Sequence, residues 1–359
     1  MAQKQQPILS PDLPWKVRLL LSIHSFAFNN SFNSNGTVNR TFLNLFDLKS
    51  SPSKNPINGV KSFDITVDPS RKLWFRLYIP TTTTTTATSL PIIFYFHGGG
   101  FILMAANSKP FDKFCQRLAR EIPSIIVSIN YRLAPEHKYP CQYEDGFDVL
   151  KRQYSAPCGT QSESKFLKLQ VIRLIALQPF FGGEERTESE NKLDGAPVIN
   201  MEHTDWFWKA FLPEGSKRDH ATANVFGPNS VDISRVNFPA TIVFVGGFDP
   251  LQDWQKKYYE GLHKAGKEAN LIEYENAFHS FYAIPELPEY SLMIKEINLY
   301  KDTKCNIENQ YYLEKRVMYK MLINLATPIL VQNPQNCKHS RAYKATSVLL
   351  LGLPTDDSA

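Results

Sequence analysis

The chain has 359 residues, 43% of them hydrophobic, with a formal net charge of +5 and an isoelectric point of about 8.7. That length and apolar content bury a large core, in one α/β domain with insertions or in two smaller domains. The basic excess gathers toward the C-terminus without forming a Lys/Arg stripe, which argues against a nucleic-acid partner, and no apolar run suits a membrane span or a secretory leader.

Five scattered cysteines, Cys115, Cys141, Cys158, Cys305 and Cys337, make no CxxC pair and read as reduced thiols of a cytoplasmic protein, or one shared with the nucleus. Residues 1–59 carry Trp15, Val17, Leu19, Leu20, Phe26 and Phe28 among polar residues. They predict one or two short amphipathic helices, a lid or a simple packing element, followed by a Ser/Pro/Asn linker. Phe63–Val67 and Trp74–Ile79 alternate and predict an antiparallel pair at a sheet edge. Thr81–Thr86 is a low-complexity loop.

Ile92–Phe96 is an unbroken apolar run, as in a strand buried on both faces, and it ends in His97-Gly98-Gly99-Gly100-Phe101. Three glycines leave backbone N–H groups open to an anion. At the carboxyl end of a strand they suit an oxyanion hole for acyl transfer. Helical spacing follows at Phe111, Phe114, Cys115 and Leu118, then a strand at Ser124–Asn130 and a helix over Gln142–Tyr154. Leu169–Leu177 predicts another strand, and Trp206, Phe207, Trp208 and Phe211 an inserted helical cap. Thr241–Val245 and Leu271–Tyr274 are the last strands, with a helix marked by Trp254, Tyr258 and Leu262 between them. Such alternation predicts an α/β fold with a mostly parallel sheet, helices on both faces and a core over residues 60–297. Residues 298–359 show no cap, sheet pattern or motif, and weak helix or disorder is expected there.

Three loops thus fall at carboxyl ends of strands: His97–Gly100, Asp249 and His279. Imidazole titrates near neutral pH and suits a base; a carboxylate suits the group that holds its tautomer. The chain order Asp then His fits this architecture.

The motifs HGGGF, YRLAPEHKYP (131–140), LQPFFGGEERT (177–187), VGGFDPLQDW (245–254) and NAFHSFY (276–282) together resemble the plant carboxylesterases of the hormone-sensitive-lipase-like branch of α/β-hydrolases, to which the gibberellin receptors also belong. The resemblance implies an α/β-hydrolase fold, Asp249 and His279 as catalytic acid and base, and Gly98, Gly99 and Gly100 as the oxyanion loop after His97. It implies an N-terminal lid, no cofactor and no metal. The partner would be a small-molecule ester or an apolar acidic ligand. Receptors of this branch keep the elbow serine and lose the histidine; here the pattern is reversed.

The departure is the nucleophile. No G-x-S-x-G occurs anywhere in the chain, and Ser155, Ser162 and Ser164 in the shortened interval neither sit between glycines nor follow an apolar strand. The family's missing piece includes a central strand between Ile92–Phe96 and Leu169–Leu177. An open gap would orphan buried backbone groups at about 1–3 kcal/mol each. The expectation is therefore that Leu169–Leu177 closes up beside Ile92–Phe96, drawing Asp249 and His279 toward the Gly loop by roughly 4.8 Å, or that the sheet does not form. Three readings follow: a carboxylesterase by descent that lacks its nucleophile and is inactive, a receptor-like binding protein, or a non-functional product of altered splicing or a faulty gene model.

Overall fold

The computed structural model describes residues 11–33, 35–81, 90–152, 171–236, 238–302 and 329–331. Ser155, Ser162 and Ser164, most of the threonine loop and all of residues 303–359 but 329–331 lie outside them.

The predicted edge pair forms as β1 (Val60–Asp68) and β2 (Leu73–Pro80), antiparallel, with β1 outermost. The buried runs become β3 (Ile92–Phe96), β4 (Ile125–Asn130), β5 (Val171–Leu177) and β6 (Ala240–Phe248). β7 (Ala269–Phe278) is longer than its apolar stretch predicts. Its exposed Asn270, Glu273, Glu275 and Asn276 blur the pattern, as on an outer strand with one wet side. β3 runs parallel to β4, β5 to β6 and β6 to β7.

Alternation within β3 divides the core. Ile93 and Tyr95 join one cluster with α3 (Lys109–Glu121) and α8 (Pro288–Asp302). Phe94 and Phe96 join the other with α4 (Cys141–Arg152), the cap helix α6 (Met201–Phe211) and α7 (Gln252–Lys264). α3 starts with Pro110 in its first turn and stops before Pro123, where a proline can neither donate nor continue the helix. Asp112 on α3 accepts from the buried Arg76 guanidinium at 3.1 Å and the Tyr78 hydroxyl at 2.8 Å, tying the helix that follows the Gly loop to β2. The short α5 (Glu188–Lys192) opens with a capping box of Thr187 and Glu190. The expected N-terminal helices are α1 (Trp15–Asn29) and α2 (Arg40–Asn44).

The sheet has eight strands in the order β1-β2-β4-β3-β8-β5-β6-β7. β8 is Ile329–Val331, a piece of the tail for which no strand was expected. It lies antiparallel to both neighbours, with Ile329 opposite Phe94 and Leu174 and Val331 opposite Ile92 and Val171. Two alternatives were expected, closure or collapse of the sheet, and neither occurs. A tail segment fills the slot of the lost strand, and β3 and β5 stay two strand spacings apart, roughly 9.6 Å. The expected approach of Asp249 and His279 by one spacing is corrected accordingly. The reason is that ladder bonds come from the backbone, so any extended segment able to reach the slot can satisfy both edges.

Candidate active site

The loop after β3 is held open by its own turn and by a buried histidine. Gly99 and Gly100 have φ of 111° and 59°, which a side-chain-bearing residue rarely adopts. The space is closed to a side chain as well: a Cβ on Gly99 would stand 2.4 Å from the Leu103 carbonyl oxygen, and one on Gly100 2.4 Å from the Phe207 ring. The Gly99 carbonyl accepts from Ile102 and Leu103 N–H, making the tight turn.

His97 is fully buried and does not face the site as a base. Its Nδ1 bonds the Gly98 carbonyl at 2.8 Å, its ring stacks on Tyr131 at 4.2 Å, and Tyr131 Oη donates to the His97 carbonyl at 2.5 Å. Burial lowers its pKa to about 3, and its Nε2 is buried without a partner among the described residues, so the ring is neutral and positions the loop.

Asp249 lies at the end of β6 and is fully buried. Its Oδ2 accepts from Gln255 Nε2 at 2.8 Å and from Gln178 Nε2 at 3.2 Å, and Oδ1 accepts from Leu251 N–H at 2.9 Å. His279 Nδ1 meets the same Oδ2 at 2.8 Å. His279 follows β7 directly, and the imidazole keeps 12% of its side-chain surface accessible, the one exposed part of the pair. Ser280 after it sits in the left-handed region at φ 67°.

Two residues of this arrangement were not singled out in the sequence. Gln178, just past β5, donates to Asp249 and to the Phe278 carbonyl at 3.1 Å and accepts from Ser280 N–H at 2.7 Å. It thereby clamps both sides of His279. Gln255 projects from the first turn of α7. The available signal was position: Gln178 is the first residue after a buried strand, where polar side chains reach the carboxyl edge.

The Gly loop and the His279 loop meet. A Cβ on Gly98 would lie 2.6 Å from the Tyr282 hydroxyl. Phe180 stacks on Trp208 at 4.9 Å and approaches His279 and Phe207 at 6.4 and 6.1 Å, forming an aromatic wall between imidazole and glycines. The N-terminal segment closes over this wall: Phe32 packs on Trp206 at 4.5 Å and on Phe207 at 5.4 Å, and Asn29 Oδ1 meets His203 Nε2 at 2.9 Å. Arg40 fastens it to the Ile102 and Ala134 carbonyls and to Glu136. Among the described residues no cluster suits a metal ion and no helix is long and apolar enough to cross a membrane.

A family model described as alpha/beta hydrolase fold matches residues 93–166 and 159–283, two pieces that meet in the interval without an elbow. The chain is 37% identical to the gibberellin receptor GID1C of Arabidopsis thaliana, over 82% of this chain and 95% of that one. It is 32% identical to carboxylesterase 20 of the same plant, over 71% and 89%. An ester-hydrolase from the Lake Arreo metagenome shares the fold at a TM-score of 0.61 and 21% identity, covering 80% of this chain and 98% of its own.

Two outcomes are expected of this geometry. Gln178→Ala frees Asp249, Phe278 and Ser280 of a shared partner; the low-field Nδ1 proton resonance of His279 is expected to shift or vanish, with a stability loss of about 1–3 kcal/mol in urea unfolding. His97 gives a pH dependence. Folded, it stays neutral down to about pH 3, while the unfolded imidazole binds a proton near its ordinary value of 6.5. The unfolded state therefore holds the extra proton between those values. Stability is full above pH 6.5 and falls as pH drops, by up to about 1.4 kcal/mol per unit. In His97→Phe this contribution to the slope between pH 4.5 and 7.5 is expected to disappear.

Proposed function

The chain belongs to the α/β-hydrolase fold family, and on that premise we propose that it is a carboxylic ester hydrolase by descent whose site retains everything for serine-type acyl transfer except the serine. His279 is the base, Asp249 its orienter, and the N–H groups of Gly99 and Gly100, beside Gly98, are the oxyanion donors. The observation that carries this is the 2.8 Å bond from His279 Nδ1 to a carboxylate oxygen already fixed by two buried glutamines. A histidine retained only for packing has no use for that arrangement. With Nδ1 engaged, Nε2 is the nitrogen left to move a proton. The ester's acyl part would lie along Phe180 and Phe207, under the lid. The free thiols at Cys115 and Cys141 support a reducing compartment, cytoplasm or nucleus.

Loss of the attacking serine alone lowers kcat by about a million-fold in a well-studied hydrolase, leaving the contribution of the oxyanion donors and binding. Turnover of p-nitrophenyl acetate is therefore expected near background. Replacing residues 153–170 with the strand–elbow–helix piece of carboxylesterase 20 is expected to raise it at least ~1000-fold, in a form abolished by His279→Ala. Robust, phosphonate-sensitive turnover by the unaltered chain would overturn the assignment.

A second reading has its own observation, the seating of Phe32 and Asn29 on the cap. A small acidic, apolar molecule would place its carboxylate at the Gly loop and its body against the aromatic wall, as the likeness to gibberellin receptors suggests. Under this reading, adding a gibberellin slows hydrogen exchange over residues 13–45; unchanged exchange removes it.

A further inference from the structure

The two parts of the site ride on different halves of the sheet. β1, β2, β4 and β3 deliver Gly98–Gly100; β5, β6 and β7 deliver Gln178, Asp249 and His279. Among the described strands, β8 is the one hydrogen-bonded to both halves. Among the described residues its ladder pairs with Phe94 and Leu174, and Tyr95, Phe96 and Ile175–Leu177 lie nearer the Gly loop and Gln178. Side chains also bridge the halves: Phe114 packs on Tyr282 and Tyr290, Arg117 donates to Ser291, and Phe101 stacks on Phe211. Such packing holds the halves together but does not fix their spacing. A backbone ladder does, because its register is quantised by residue and its width by strand.

We propose that the slot between β3 and β5 is a strand-binding site, and that its occupation by the chain's own Ile329–Val331 sets the distance between the Gly loop and the Asp249–His279 pair. β8 is thus a positioning element for a site it does not touch. With β8 docked, β3 and β5 stand two spacings apart. With it out, their unpaired buried edges draw together by roughly one spacing, ~4.8 Å, and the loops move with them. The inference takes from the proposed function only the identity of the aligned groups.

The test uses the full chain and reads geometry, so it stands whether or not the protein hydrolyses esters. Ile93 and Leu330 are direct partners in the antiparallel register, where facing Cβ atoms come within reach of a disulfide. The pair Ile93→Cys and Leu330→Cys is expected to form an intrachain disulfide under mild oxidation. No disulfide, or an interchain one only, overturns the strand site. Nitroxides at Ser70→Cys and Lys264→Cys, exposed positions on the two halves, report the spacing once the native cysteines are replaced by Ser. Leu330→Pro removes the central donor of β8 and is expected to shift that distance by about one strand spacing. Gln335→Pro, elsewhere in the tail, is expected to leave it unchanged. An unchanged distance in Leu330→Pro, or an equal shift in Gln335→Pro, overturns the spacing role.

Discussion

A strand in the middle of a buried sheet has two backbone edges to satisfy, and this fold depends on how those of β3 and β5 are met. Each unpaired group there would cost about 1–3 kcal/mol, against a domain's net stability of about 5–15 kcal/mol. The fold's own connection rules favour a parallel strand between them, because consecutive strands are joined by helical crossovers. β8 arrives from the tail instead and is free of that rule, so it pairs antiparallel with both neighbours. The ladder accepts either sense because its donors and acceptors belong to the main chain. A nucleophile elbow has no such substitute. It requires one hydroxyl on one strained strand-to-helix turn, and an extended segment from elsewhere supplies neither. On the proposed function, the sheet is repaired where the chemistry is not.

The same distinction separates the well-built part of the site from the incomplete part. Asp249 gathers donors from three places: Gln178 after β5, Gln255 in α7, and Leu251 in the turn between β6 and α7. A buried carboxylate is costly unless so satisfied, and these bonds orient it as they stabilise it. His279 inherits that orientation through Nδ1. Gln178 adds a second constraint by holding Phe278 and Ser280, the residues on either side of the imidazole. None of these bonds passes through the missing strand, and so the dyad persists without it.

Most of the fold was legible because most strands are buried on both faces and end in Gly or polar loops. Ile92–Phe96 before HGGG and Thr241–Val245 before GGFDP carry that signal without ambiguity. The placement of Asp249 and His279 at one edge of the sheet was legible because each follows such a strand. Gln178 was not, since its role rests on hydrogen bonds to Phe278 and Ser280 about a hundred residues away, which no local pattern encodes. β8 was the hardest. Three apolar residues, Ile329–Val331, have no turn signal or alternation of their own, and their conformation is dictated by the vacancy they fill. His97 was legible as part of a motif but not as a buried neutral ring beneath the loop, because burial is a property of the assembled core.

The two proposed uses of the site, hydrolysis and binding, would draw on the same donors. The N–H groups that would stabilise an oxyanion in an acyl-transfer transition state also fit the carboxylate of an acid held in the ground state. What divides the two uses is whether anything attacks. With a serine in place, interaction energy at the Gly loop is realised as the carbonyl oxygen gains charge, and it lowers the barrier. Without one, the same interaction acts on whatever anion rests there, and the apolar wall of Phe180 and Phe207 adds affinity without rate. On the proposed function, loss of the elbow would move a hydrolase toward a receptor by removing one step rather than by building a new site. On that proposal the His279–Asp249 pair would mark the direction of the change, because a site that had evolved for binding alone would have had no reason to keep a fully buttressed proton acceptor.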